Sequence, residues 1–323
     1  MRIVWLHNNS EDRRNGTFMW DIIDRLKAVN SLSIDLLKVP VIRNMADAME
    51  ALKQSRAKRT AVVWHGQYGS LVGLLTGLRS GGCRIISLRG SDIYWRYGAK
   101  QKRLAAFVRI LMSWIGCLRS HAIIVMSGAM ADKVRRWPFL SRKRIHVLVD
   151  PAGNMFWPEQ GIDIASRLLS QSHSVLIASL VDDNPVKRLT IVEDAVRLCK
   201  SAGMGVSLEV LSGKTRNEVR DAIALADCVA LASTHEGWPN IIKESLLLNT
   251  PFVATNVSDL AFYAQQDSRM HIVSPTPLDF AMAWVDQIAA QILNEYGVPD
   301  RLSKFHPDVC ALKHVLLYMS FRK

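Results

Sequence analysis

Apolar residues along this chain gather into short β-branched runs separated by stretches at helical spacing. The runs "RIVWLH" (2–7), "IDLLKV" (34–39), "AVVW" (61–64), "RIISL" (84–88), "HAIIVM" (121–126) and "RIHVLV" (144–149) are apolar at nearly every position. That pattern belongs to strands covered on both faces, as in a parallel sheet. Between them Met19, Ile22, Ile23 and Leu26 recur at helical spacing, and 99–118 predicts a longer helix. Strand alternating with helix implies an α/β layered domain. The proline- and glycine-bearing stretch "VDPAGNMFWPEQG" (149–161) breaks the rhythm. A second series then runs through "HSVLIAS" (173–179), "VSLEVL" (206–211), "DCVALA" (227–232), "PFVAT" (251–255) and "MHIV" (270–273), with helices near 186–201, 216–226 and 240–249. Two doubly wound halves are predicted, 1–150 and 162–304, joined by a linker over 151–161. Sheets of this kind bind ligands beyond the carboxyl ends of their strands, so a cleft between the halves is the expected site.

Size and composition agree with this picture. A chain of 323 residues, 49% hydrophobic and 22% charged, is long enough for two cores and too apolar for disorder. The apolar run 105–118 is interrupted by Arg109 and is shorter than the roughly 20 residues a membrane span needs. The opening "MRIVWLHNNSEDRRNG" reads as a strand and a polar loop, without the features of a secretion signal, so a cytoplasmic location is expected. Five scattered cysteines in apolar surroundings read as buried free thiols, and nine scattered histidines form no metal-ligand pair. No protein-built metal site is expected.

The net charge of +12 changes the picture because it is concentrated. From Ile93 to Val149 the only acidic residue is Asp132, against twelve lysines and arginines interleaved with Tyr94, Trp95, Tyr97, Phe107, Trp114 and Trp137. Such a mixture suits a surface resting on the headgroups of an anionic membrane, which would make the protein peripheral on the inner face of the cytoplasmic membrane. It equally suits a solvated basic face over a buried helix. Specific nucleic-acid binding ranks behind both, because no recognised nucleic-acid motif accompanies the charge.

The densest chemistry lies in "STHEGWPNIIKESLLLNTPFVATN" (233–256): an apolar strand precedes it, Gly237 and Pro239 make a turn, and Pro239 suits the first position of the following helix. A helix N-terminus at a strand's carboxyl end presents free amides to an anion such as phosphate. Glu236 falls in the turn and Glu244 in the helix. Eight helical positions rise about 12 Å, beyond the roughly 5–9.5 Å that separates the paired carboxylates of a glycosidase. The two glutamates therefore suit different ends of one extended ligand.

"EGWPNIIKE" resembles the E-x7-E signature of retaining glycosyltransferases of the GT4 class, closest in pattern to bacterial envelope-polysaccharide and teichuronic-acid-type enzymes. The resemblance implies the GT-B architecture, two Rossmann-like doubly wound parallel-sheet domains facing across a cleft. It also implies transfer of a sugar, with retention, from a nucleotide-diphosphate sugar to a cell-envelope glycan or lipid-linked acceptor, with no metal or other cofactor. By the same resemblance Glu236 holds donor-sugar hydroxyls, Glu244 the ribose, and Gly237, Trp238, Pro239 and Asn240 the sugar and phosphate between them. "ASLVDDNPVKRLTIVEDAV" (178–196) resembles the segment that brings a basic pair to the diphosphate, with Lys187 as the matching lysine. The usual strand-end arginine has no counterpart at Ser179, and Arg188 is the candidate substitute.

Other matches are thinner. "LSGKTRNEV" (211–219) lacks the first glycine of a P-loop, since Leu208 stands there, and by the resemblance Gly213 and Arg216 fall near the nucleotide base. In the first half, Gly16 in "NGTFMWDIIDRL" resembles the loop closed over donor or acceptor, and "LRGSD" (88–92) resembles an "HGSD" segment with Arg89 in the histidine's place. Asp92 is an acceptor candidate or a helix cap, and His65 in "WHGQYG" a cleft residue or a core histidine. Residues 305–323 resemble the terminal helix that crosses back to the first domain. A non-catalytic nucleotide- or polyanion-binding protein on the same fold is the alternative, while a dehydrogenase is disfavoured because no GxGxxG follows either first strand.

Overall fold

The computed structural model describes residues 1–9, 17–29, 31–39, 62–94, 103–152, 164, 169, 175–179, 185–265, 270–295, 297 and 299–322. The chain divides into two compact units, Met1–Gly153 and Asn154–Lys323. Most of the expected linker, 151–161, lies outside the described residues, as do Gly16 and residues 95–102 of the basic aromatic segment.

The first unit is built on strands β1 (Arg2–His7), β2 (Ser33–Lys38), β3 (Val63–Gly66), β4 (Cys83–Ser87), β5 (Ala122–Val125) and β6 (Arg144–Val147). They form one sheet in the order β2-β1-β3-β4-β5-β6, and every pairing is parallel. Its helices are α1 (Thr17–Ala28), α2 (Ser70–Gly77), α3 (Gly90–Ile93), α4 (Arg103–Arg119) and α5 (Gly128–Arg135). The central strands are buried along nearly their whole length, which is why they read as almost unbroken apolar runs.

The second unit repeats the plan with β7 (Val175–Ser179), β8 (Val206–Val210), β9 (Cys228–Leu231), β10 (Phe252–Thr255) and β11 (Met270–Val273), ordered β11-β10-β9-β7-β8 and again parallel throughout. Its helices are α6 (Leu189–Ser201), α7 (Arg216–Leu225), α8 (Asn240–Leu247), α9 (Leu260–Ala264), α10 (Pro277–Asn294) and α11 (Pro307–Met319). The α/β class and the two doubly wound parallel sheets expected from the sequence are both present. α11, the terminal helix, packs on α10 and α6 within its own unit.

Three local differences have physical reasons. β3 occupies Val63–Gly66 rather than 61–64, because His65 and Gly66 continue the ladder opposite Trp5 and Leu6 on one side and Ile85 and Ile86 on the other. Gly66 is needed there, since a Cβ would lie 2.5 Å from Thr76 Oγ1. Pro239 is the cap residue of α8 rather than its first helical residue, its ψ of 120° being extended. α10 escaped the periodicity reading because it is buried on nearly all sides and so carries no polar stripe.

The five cysteines are free and buried, as expected. Burial pushes the thiols of Cys83 and Cys199 up to about 12, so they remain protonated packing groups.

In the first unit α2 and α4 touch through glycines: a Cβ on Gly116 would lie 2.5 Å from the Gly73 carbonyl oxygen, and one on Gly77 would lie 2.9 Å from that of Gly116. Backbone against backbone leaves nothing flexible to yield. The variant Gly116→Val is expected to lower unfolding free energy by about 1–3 kcal/mol or more, measured by urea titration.

Candidate functional site

In a sheet ordered like β11-β10-β9-β7-β8, the connection leaving β7 runs to one side, to β8, and the connection entering β9 returns to the other. The carboxyl ends of the neighbours β7 and β9 therefore border a crevice, the usual ligand position in open α/β sheets. The chain after each strand supplies its polar groups. After β7 the described chain resumes as a single 3-10 turn, Pro185–Lys187, followed by Arg188 in the left-handed region (φ 46°, ψ 46°). After β9 come Ala232, Ser233, Thr234 and Glu236.

The two segments are stitched together. Arg188 donates from Nε to the Ala232 carbonyl (2.6 Å) and from Nη2 to that of Ser233 (2.8 Å), and the Thr234 amide donates to the Val186 carbonyl (2.9 Å). Thr255 Oγ1, at the end of β10, donates to the same Ser233 carbonyl at 2.6 Å. A left-handed arginine costs about 1–2 kcal/mol, while a hydrogen bond from a charged donor contributes about 1.5–3 kcal/mol. The two guanidinium bonds thus offset the strain at Arg188.

This stitching sets Lys187 against Glu236. Lys187 Nζ lies 2.6 Å from Glu236 Oε1, and Ser233 Oγ donates to the same oxygen at 2.7 Å. The side chains are 18% and 16% exposed, so the pair sits at a wall rather than in the core or in bulk water. Burial pushes the Glu236 carboxyl up, but the Lys187 and Ser233 bonds and the lysine charge outweigh it, holding the group below the usual glutamate range. Among the described residues both of these donors fall on Oε1.

Four residues beyond Glu236, α8 begins at Asn240 with no side-chain cap at Pro239 and no acidic residue in its first turn. The first amides of a helix have no intrahelical partner, so this end offers donors and partial positive charge. Gly237 has open space where a Cβ would stand. Trp238 packs on the core cluster that includes Ile241, Ile242 and Phe252, anchoring the turn.

Glu244 and Asn240 face another feature of the same unit, a groove of about 520 Å³ between α7 and α8. Its polar rim includes Lys214, Arg216 and Glu244, and its floor includes Ile223, Ile241 and Leu248. Two of the predicted ribose and base contacts, Glu244 and Arg216, therefore share one groove. Gly213 is exposed, and its φ of +76° makes the turn that leads to Lys214 and α7.

The first unit has the same reversal between β1 and β3, and a groove of about 590 Å³ lies there. It is lined by Asn8, Tyr68, Ser70, Asp92 and Arg109 among others. Asp92 takes the cap role expected of it and also borders the groove. It accepts the Arg89 amide at 2.9 Å as part of a capping box, and it lines the groove. Burial pushes its carboxyl up, opposed by amide bonds from Arg89 and Gly69 and by the charges of Arg89 and Arg109. Tyr68 donates to Asn9 Oδ1 at 2.9 Å on the same rim.

Arg89 pairs with Asp150 at 2.5 Å and lies over the Phe18 ring, 5.1 Å from its centroid. His65 is fully buried, 2.7 Å from Ser87 Oγ and stacked on Trp5 at 4.0 Å. The core position, not the groove, is the one it occupies. Sequence reasoning passed over Ser233, Tyr68, Asn9 and Arg109. For Ser233 and Tyr68 a signal existed, a hydroxyl closing or following a buried strand end. Among the described residues no cluster of three or more potential metal ligands occurs, and no helix is long and apolar enough to cross a membrane.

No family model matches this sequence, and no curated protein matches it. Solved structures align with it at low identity. Sucrose-phosphate synthase from Thermosynechococcus elongatus is 12% identical with a TM-score of 0.39, the alignment covering 99% of this chain and 97% of that one. Anabaena Alr3699/HepE in complex with UDP-glucose is 11% identical with a TM-score of 0.35, covering 99% and 98%. The lipopolysaccharide outer core galactosyltransferase WaaB is 11% identical with a TM-score of 0.31, covering 80% and 81%.

The Lys187–Glu236 pair has a pH signature. A carboxyl held below its unfolded pKa contributes stability above that pKa and loses it as pH falls through the folded value. The wild type is therefore expected to exceed Glu236→Gln in melting temperature at pH 7, with the gap closing below about pH 4, the ordinary glutamate range. Parallel thermal melts of the two proteins across pH 3–8 check it, and a gap independent of pH would contradict the assignment.

Proposed function

We propose that this protein is a glycosyltransferase that moves a sugar from a nucleotide-diphosphate sugar to an acceptor hydroxyl with retention at the anomeric carbon. The observation that carries the reading is the Lys187–Glu236 pair at the β7/β9 strand-order reversal, ahead of the uncapped start of α8. A cation, a carboxylate with a spare oxygen and the amides of Asn240 and Ile241, ahead of the first helical bond, suit a ligand that is anionic at one end and hydroxylated at the other.

In this reading the diphosphate takes the α8 amides and the ammonium of Lys187, and Glu236 accepts hydrogen bonds from the sugar hydroxyls. The groove carrying Glu244 and Arg216 takes the nucleoside, its carboxylate suiting ribose hydroxyls and its apolar floor the base. Arg188 serves by position, since its guanidinium is committed to the carbonyls that hold the loop. The groove with Asp92, Tyr68 and Arg109 takes the acceptor. The anomeric C–O bond to phosphate breaks, the acceptor oxygen bonds on the same face, and the departing phosphate oxygen receives the acceptor proton. Charge growing on that oxygen is met by Lys187 and the helix amides, so no metal is required. A cell-envelope glycan or a lipid-linked sugar fits as acceptor, and a cytoplasmic location follows from the donor's.

A thermal-shift panel of UDP-, GDP-, CMP- and dTDP-sugars is expected to show one base class raising the melting temperature, with the rise lost in Lys187→Ala. Transfer of labelled sugar to membrane-extract acceptors should fall about 100-fold or more in that variant. Asp92→Asn should lower transfer while leaving the nucleotide-induced rise in place. Tight nucleotide binding with no transfer to any acceptor would instead support a binding protein on the same fold. A panel without any rise would overturn both readings.

A further inference from the structure

α4 has two faces. One is buried, with Ala106, Ser113, Gly116 and Cys117 turned inward, two of them against α2. On the other, Leu104 is 74% exposed, Phe107 49%, Val108 42% and Leu111 37%. The spacing is i, i+3, i+4, i+7, so these four residues make one apolar line along the helix. A basic face covering a buried helix would have put charged side chains on that line.

The line continues onto the loop after α5. Trp114, three residues past Leu111, donates from its indole N–H to the Pro138 carbonyl at 3.0 Å. That bond places Pro138 beside Trp114, and Phe139 follows Pro138 in the chain. Phe139 is 84% exposed with φ +63°, a conformation that a bulky residue rarely adopts. Exposed bases stand on either side of it, Arg135 and Arg136 before and Arg142 after. The segment's single acid, Asp132, is already paired with Arg135 at 3.0 Å.

We propose that this face, Leu104, Phe107, Val108, Leu111 and Phe139 ringed by Arg135, Arg136 and Arg142, is a docking surface for an anionic lipid bilayer. Apolar tips enter the boundary of the acyl chains, guanidiniums meet lipid phosphates, and Trp114 lies at headgroup depth. A second copy of the chain is the poorer occupant, because a two-fold contact would oppose like-charged arginines, Arg136 and Arg142 among them, to each other. A nucleic acid would use the bases but give the apolar line no role. The proposal stands apart from sugar transfer.

Flotation of the full chain with vesicles tests it. Binding is expected to phosphatidylglycerol–phosphatidylcholine vesicles and to fall with salt, with pure phosphatidylcholine vesicles holding far less. The pair Leu104→Glu and Leu111→Glu should weaken partition by about tenfold or more. Phe139→Gly should also weaken it while raising the melting temperature, since glycine accepts that φ without strain. Arg136→Glu with Arg142→Glu should weaken binding to the anionic vesicles. The nucleotide-sugar thermal shift should be unchanged in all of them, which separates failure here from failure of the transfer reading. Partition unaffected by these substitutions would overturn the proposal. Lipid-free dimerisation abolished by Leu104→Glu, or duplex DNA binding insensitive to the stripe, would assign the face to those occupants instead.

Discussion

The second unit depends on the carbonyl of Ser233. It accepts a hydrogen bond from Arg188 and another from Thr255, so one backbone oxygen ties the ends of β9 and β10 to the segment that follows β7. Lys187 and Glu236 are each one to three residues from that tie, and their 2.6 Å separation is a consequence of it. A flexible loop would leave the ammonium and carboxylate free to separate in water, where an exposed pair is worth at most about 1 kcal/mol. Fixing the backbone first removes most of the ordering entropy that the pair would otherwise cost.

The two units solve the same topological problem in the same way. In each, the reversal of strand order leaves two neighbouring carboxyl ends uncovered, and polar residues gather there. The contents differ. The second unit holds a cation, a carboxylate and an uncapped helix, while the first holds a buried carboxylate, the guanidinium of Arg109, a tyrosine and an asparagine.

Strands buried on both faces were legible because burial and apolarity coincide there, and Gly237 and Pro239 marked the main turn. Glu236 and Lys187 were legible as types at a strand end, yet nothing in the sequence states that they touch. That needed the Arg188 conformation, which no local pattern encodes. His65 was ambiguous because a buried histidine looks polar in sequence until its partners, Trp5 and Ser87, are known. The segment around α4 stood open between a membrane-resting surface and a basic face over a buried helix, because periodicity predicts a helix without saying which of its apolar sides is covered.

α4 also carries Arg109, which lines the first unit's groove and lies roughly 150° around the helix from Leu104 and Leu111. An α-helix with its side chains is about 10–12 Å across, and the glycine contacts with α2 forbid it to roll. The helix is thus a spacer of fixed thickness. Whatever rests against its outer side is held one helix diameter from the groove, so a molecule rooted in that outer layer reaches Asp92 only if its stem is long enough to span the gap.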